Sequence, residues 1–231
     1  MDSKSALLSA CVIACTVLVS AGAPCSAAEL SVTVAAPSGS PVEGAVVVAE
    51  PVLGQGPGPG QAASRPRTGL KAVMDQRELQ YVPDVLVVQT GTAVEFPNSD
   101  DVRHQVYSFS PAKTFKLALY SGHGHGSVLF DRAGVVTLGC NIHDSMVGYI
   151  YVTDSPWFGR TNFDGIVRLH NLPAGDYTLH VWHALLNEKG PHLQSRVTLS
   201  EATSASANFR LQRALRPASQ NHGANKQWAD Y

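Results

Sequence analysis

The chain has 231 residues and a formal net charge of −1 at pH 7. This near-neutral balance gives no sign of a surface that binds nucleic acid or an acidic membrane. Beyond the N-terminal segment, no apolar run is long enough to span a bilayer.

Residues 1–28 are typical of a cleavable export signal. Lys4 precedes an apolar run at residues 6–19, which is too short to cross a membrane with normal flanks. Small residues follow, and we expect cleavage after Ala27 or Ala28. The mature protein is therefore expected to be periplasmic or otherwise exported, and an uncleaved anchor is the alternative.

The four cysteines are unevenly placed along the chain. Cys11, Cys15 and Cys25 fall in the segment that would be removed, which leaves Cys140 alone in the mature protein. An unpaired thiol in an oxidising compartment is open to oxidation and mispairing. Metal coordination would shield it, whereas an inert buried thiol is the alternative.

The first part of the mature chain has the pattern of β-strands. Residues 29–52 hold two opening strands, and residues 53–75 form a Gly/Pro-rich loop. Residues 84–89 and 93–96 favour a hairpin around Thr90-Gly91-Thr92. Further strands are expected at 102–109, 127–130, 135–139 and 147–152, with one short helical turn within 110–120.

A second strand pattern begins after residue 153. Strands are expected at 166–169, 196–199 and 205–211, and residues 172–181 are expected to form a Pro/Gly turn that leads into a further strand. Residues 213–231 are polar without a period and are expected to form a disordered tail. The sequence therefore predicts an all-β protein.

The most informative motif is the spacing Cys140-x-x-His143-x-x-Met146, with His104 upstream. Two histidines, one cysteine and one weakly held methionine are the ligand set of a blue-copper electron-transfer site. Structural zinc sites seldom use a thioether, and a Cys–His nucleophile pair would lack an evident orienting partner. We therefore predict one type 1 copper site and no catalytic residues.

Several segments around this motif resemble cupredoxins. They are FPNSD at 96–100, RH at 103–104, VYSFSPAK at 106–113, LGCNIHD at 138–144 and GYI at 148–150. The copper loop is similar to that of amicyanin. Nearly the whole mature chain resembles the periplasmic cupredoxin-type proteins named for methylamine utilisation.

The resemblance implies that residues 76–152 form a Greek-key cupredoxin barrel or sandwich. His104, Cys140 and His143 would bind copper in a plane, with Met146 as the long axial ligand. The implied role is transfer of single electrons between redox partner proteins, which would dock at the His143 edge. Met146, Val147 and Pro97 are expected to contribute to an apolar surface there.

The resemblance also implies supporting residues around the ligands. The backbone N–H of Gln105 would bond the Cys140 sulfur, although related proteins carry Asn or a second His at this position. Asn98 and Asn141 are expected to support the ligand segments.

Other polar residues nearby have weaker assignments. His123 and His125 could form an auxiliary metal site, and a solvated loop is the alternative. Asp100 and Asp101 are expected to fix the turn before His104.

Three further segments resemble the carboxypeptidase regulatory-like, or prealbumin-like, β-sandwich. They are GSPVEGAVV at 39–47, TNFDG at 161–165 and LPAGDY at 172–177. The resemblance implies a small sandwich built from residues 153–212 with the opening strands 29–52, although those strands could instead belong to the cupredoxin. Alternative roles are copper delivery or storage, and partner binding through this second region.

Overall fold

The computed structural model describes residues 28–52, 69–122, 126–143, 145–186, 193–200 and 204–216. The predicted export signal lies almost entirely outside these residues. His123, His125 and most of the predicted tail also lie outside them. In the part of the chain that is described, no helix is long and apolar enough to cross a membrane.

The described residues form seventeen strands and no helix, so the predicted all-β class is confirmed. In chain order the strands are β1 (Ala28–Ala35), β2 (Val46–Pro51), β3 (Lys71–Val73), β4 (Asp75–Arg77), β5 (Gln80–Val82), β6 (Val85–Gln89), β7 (Thr92–Glu95), β8 (Tyr107–Ser110), β9 (Lys113–Lys116), β10 (Val128–Phe130), β11 (Gly134–Gly139), β12 (Val147–Thr153), β13 (Phe158–Arg160), β14 (Ile166–Leu172), β15 (Gly175–Trp182), β16 (Leu193–Leu199) and β17 (Ala205–Arg210).

One pair of sheets combines the two ends of the described chain. A three-stranded sheet has the order β14-β1-β17, and a four-stranded sheet has the order β13-β2-β15-β16. Strand β1 alternates buried and half-buried residues, so Leu30, Val32 and Val34 face the core. Tyr177 and Leu179 of β15 lie in the same core. Both opening strands thus pair with strands from the C-terminal part of the chain.

A second pair of sheets encloses a separate core. A five-stranded sheet has the order β6-β12-β11-β8-β9, and a three-stranded sheet has the order β10-β7-β3. Phe96, Phe130, Leu138 and Ile150 are buried between them. The small sheet β4-β5 adds Tyr81 to this core.

A third apolar cluster joins the two pairs of sheets. Trp182 of β15 packs against Tyr149 and Tyr151 of β12, with ring centroids 5.6 Å apart in both pairs. Val46 and Val48 of β2 are buried in the same cluster. Because β2 turns Val47 and Ala49 toward the first core, this strand is buried on both faces.

Three local predictions are wrong. Strands β6 and β7 do not form a hairpin, because β6 pairs with β12 while β7 pairs with β3 and β10. The predicted helical turn within 110–120 is instead strand β9, which pairs with β8. Strand β3 lies inside the segment predicted as a loop, so that loop ends earlier than residue 75.

Candidate metal centre

A polar loop positions His104. The Nδ2 group of Asn98 donates to the carbonyl oxygens of Val102 (2.8 Å) and Tyr120 (2.9 Å), while its Oδ1 accepts the N–H of Asp100 (3.0 Å). His104 and Tyr120 exchange two backbone hydrogen bonds of 2.9 Å each. Asn98 thus closes the loop before His104, whose side chain is wholly buried.

The other predicted ligands lie on one short loop between two paired strands. Cys140 follows the last residue of β11, and Met146 precedes the first residue of β12. Gly139 and Val147 are opposite each other in the antiparallel ladder, so the loop leaves and re-enters the sheet at one point. The N–H of Met146 donates to the carbonyl oxygen of His143 at 2.9 Å. Cys140 and Met146 are buried, and His143 is half-buried.

The structure brings His104, Cys140 and His143 together. Their ligand atoms all lie within 4.8 Å of one another. Nδ1 of His104 is 3.9 Å from Cys140 Sγ, and Nδ1 of His143 is 3.7 Å from it. The two imidazole rings meet edge to face, with centroids 4.9 Å apart.

These spacings suit a shared metal ion. With bonds of about 2.3 Å to a thiolate and about 2.0 Å to an imidazole, two donors at 120° lie about 3.7 Å apart. Both sulfur-to-nitrogen distances are close to this value. Met146 is buried in the same apolar core as Cys140, and its role as a ligand stays a prediction. The His-Cys-His group can therefore hold a metal ion.

The surroundings of His143 favour the neutral imidazole that metal binding needs. Burial is the main cause that lowers the pKa of His143 below 6.5, and nearby His104 lowers it further. The imidazole is then neutral at neutral pH, as a metal ligand must be. Burial raises the pKa of Asp100, but hydrogen bonds from His104, Leu79 and Glu78 outweigh it, so this carboxyl stays ionised.

The remaining predicted residues lie around the group. Gln105 is half-buried directly after His104, and Asn141 is exposed on the ligand loop. Their supporting roles stay predictions. Met146 was expected to contribute to an apolar docking surface. It is only 1 % exposed, so that prediction is wrong. Val147 and Ile142, which are close to His143 along the chain, are exposed, and Ile142 was not predicted from the sequence.

Two residues near the site were missed or underrated by sequence reasoning. The backbone N–H of Asp100 bonds Asn98 within the loop, and Oδ2 of its carboxylate lies 2.6 Å from Nε2 of His104. Tyr81 donates its hydroxyl to the carbonyl oxygen of Gly139 at 3.0 Å, directly before Cys140. The available signal for Asp100 was a carboxylate four residues before a ligand histidine, because ligating histidines usually bond a carboxylate or carbonyl.

The chain is similar to several solved cupredoxin structures. An oxidised amicyanin mutant is 23 % identical, with a TM-score of 0.33, over 35 % of this chain and 80 % of that one. A purple cupredoxin from Nitrosopumilus maritimus is 22 % identical, with a TM-score of 0.32, over 36 % and 99 %. A copper-containing nitrite reductase from Thermus scotoductus is 23 % identical, with a TM-score of 0.34, over 41 % and 26 %.

No family model and no curated protein matches the chain. The case for a metal site therefore comes from the side chains described above.

Proposed function

We propose that this chain is a type 1 copper protein that passes single electrons between redox partner proteins. The observation that carries the proposal is the convergence of the Cys140 sulfur with the Nδ1 atoms of His104 and His143. Met146 is buried in the same apolar core as Cys140. Thiolate and thioether sulfur suit copper in its reduced state, and imidazole suits both oxidation states. Copper, when bound, supplies a one-electron couple.

The protein's own residues would have distinct roles in this function. Cys140 is the strongest donor and the covalent route from the site into strand β11. His104 is sealed in the core, whereas His143 is half-buried and lies nearest to solvent. We propose that electrons enter and leave at the His143 edge. Ile142 and Val147, which are close to His143 along the chain, have exposed side chains, and redox encounters need only a small interface.

A rigid surrounding favours electron transfer over chemistry on a substrate. The ligand loop is held at both ends by the β11–β12 ladder, and the His104 segment is held by Asn98 and Tyr120. When ligands stay fixed between oxidation states, little structural reorganisation accompanies electron transfer. We therefore propose a carrier without substrate chemistry of its own.

We also propose that the protein is exported and that its mature chain forms two domains. The N-terminal segment would direct the protein to the periplasm, where Cys140 would be the remaining thiol. Residues 76–152 would form the copper domain, and residues 153–212 with the opening strands would form the second sandwich. The aromatic contacts of Trp182 with Tyr149 and Tyr151 support a fixed junction between them.

Spectroscopy of the copper-loaded mature protein tests this function. We expect intense visible absorption from the thiolate, a type 1 paramagnetic signal and reversible one-electron cycling. Cys140→Ser should lose the colour. A weakly coloured Cu(I) protein that gives up its metal readily to a chelator would instead indicate copper delivery or storage. A protein that stays colourless in both redox forms would contradict a type 1 site.

A further inference from the structure

A carboxylate lies directly behind one of the proposed ligands. Oδ2 of Asp100 is 2.6 Å from Nε2 of His104, while the opposite ring nitrogen, Nδ1, faces the Cys140 sulfur. Only one nitrogen of a neutral imidazole carries a proton. An ionised carboxylate can only accept a hydrogen bond, so it favours a proton on Nε2, and in that tautomer the Nδ1 lone pair is free to bind a metal.

Asp100 is itself held in place from several sides. Its Oδ1 accepts the N–H of Glu78 at 2.5 Å, and its Oδ2 accepts the N–H of Leu79 at 3.0 Å. Its own N–H donates to Oδ1 of Asn98. The carboxylate therefore has little freedom to rotate away from His104.

The two residues that bind Asp100 have an unusual backbone. Glu78 and Leu79 form the turn between β4 and β5, with φ values of 53° and 58°. Tight hairpin turns of this kind usually use Asn or Gly at such positions, because other side chains are strained there. Strain of this kind persists where the surroundings hold it. Here the turn aims two N–H groups at one carboxylate, so its shape is matched to Asp100.

We propose that Asp100 is a positioning residue that fixes the Nδ1-binding tautomer of His104 and lowers the reduction potential of the copper site. This inference rests on the proposed function. The Asp100 side chain is only 12 % exposed and His104 is fully buried, so solvent screens the negative charge weakly. A carboxylate bonded to a ligand imidazole makes that ligand more basic and favours the more highly charged Cu(II) form.

The first test compares two single-charge variants of the full mature protein loaded with copper. Asp100→Asn keeps the shape and an acceptor oxygen for His104 but removes the charge. We expect it to keep the visible absorption and to shift the equilibrium at least tenfold toward Cu(I), which is a rise of 59 mV or more for one electron. Asp101→Asn is the matched control, because it removes the same charge from the exposed neighbouring residue. Its shift should be less than a third as large.

The outcomes separate the possibilities. No rise in potential for Asp100→Asn, or equal rises in both variants, would overturn the inference. If the wild-type protein itself forms no type 1 site, the proposed function fails, and the role of Asp100 is then judged on the metal-free protein.

The second test needs no variant. Nitrogen-15 NMR of the metal-free wild-type protein should place the proton of His104 on Nε2, because the Asp100 carboxylate accepts it there. A proton on Nδ1 would overturn the inference even if Asp100→Asn fails to fold.

Discussion

Gly148 is a position where one methyl group should measurably destabilise the protein. It lies in β12, two residues after Met146. An added Cβ would stand 2.7 Å from Cδ2 of Tyr81 and 2.8 Å from its Cβ and Cγ, which is closer than such atoms approach in practice. Tyr81 cannot easily withdraw, because it is buried and its hydroxyl is bonded to Gly139. Gly148→Ala therefore requires a shift in the core.

The expected magnitude follows from the cost of overpacking a core. Such insertions cost about 1–3 kcal/mol, and each kcal/mol lowers Tm by about 2–4 °C in a chain of roughly 200 residues. We therefore expect Tm to fall by roughly 2–12 °C. Thermal unfolding of the metal-free protein, followed by circular dichroism, measures this shift.

Gly126→Ala is the matched control for this experiment. Its added Cβ would meet no atom within 4 Å, so the stability should change by less than about 0.5 kcal/mol. If Gly148→Ala were as stable as Gly126→Ala, the close packing of Tyr81 against β12 would be contradicted. The position of the β4–β5 turn beside Asp100 would then be wrong as well.

Three further predictions concern the metal centre and pH. Met146→Leu should keep the visible absorption and raise the reduction potential, because a thioether donor is replaced by a hydrocarbon; an unchanged potential in voltammetry would argue against Met146 as a ligand. Burial lowers the pKa of His183 below its ordinary 6.5, so proton uptake favours the unfolded chain and stability should be lost as pH falls below 6.5. His183→Gln should flatten that part of the pH curve in urea unfolding, and an unchanged slope would count against the buried neutral form. His123→Ala combined with His125→Ala should leave the main absorption intact, and loss of that absorption would mean that the ligands were assigned wrongly.

The strands and the ligand loop were the most predictable features of the chain. Alternating apolar residues at 147–152 predict β12, because one face of that strand packs on a core. The Cys140 to Met146 spacing is local, so its placement on one loop follows from the sequence. The convergence of His104 with that loop came from resemblance to a known fold, because no local pattern links residues so far apart.

Strand partners and supporting contacts were the least predictable features. The sequence Thr90-Gly91-Thr92 is typical of a hairpin turn, yet β6 pairs with β12 and β7 pairs with β10, so the two strands lie in different sheets. The local sequence around Asp100 predicts only a turn residue. Its bonds to Glu78 and Leu79 depend on bringing distant segments together, which only the folded chain does.

A crystal structure of the copper-loaded mature protein, with anomalous data collected at the copper absorption edge, tests the central claim most directly. The account predicts one strong copper peak bonded to Nδ1 of His104, Nδ1 of His143 and Sγ of Cys140, with the Met146 sulfur at a longer distance. A copper peak elsewhere on the protein, or a copper ion that does not contact Cys140, would contradict it.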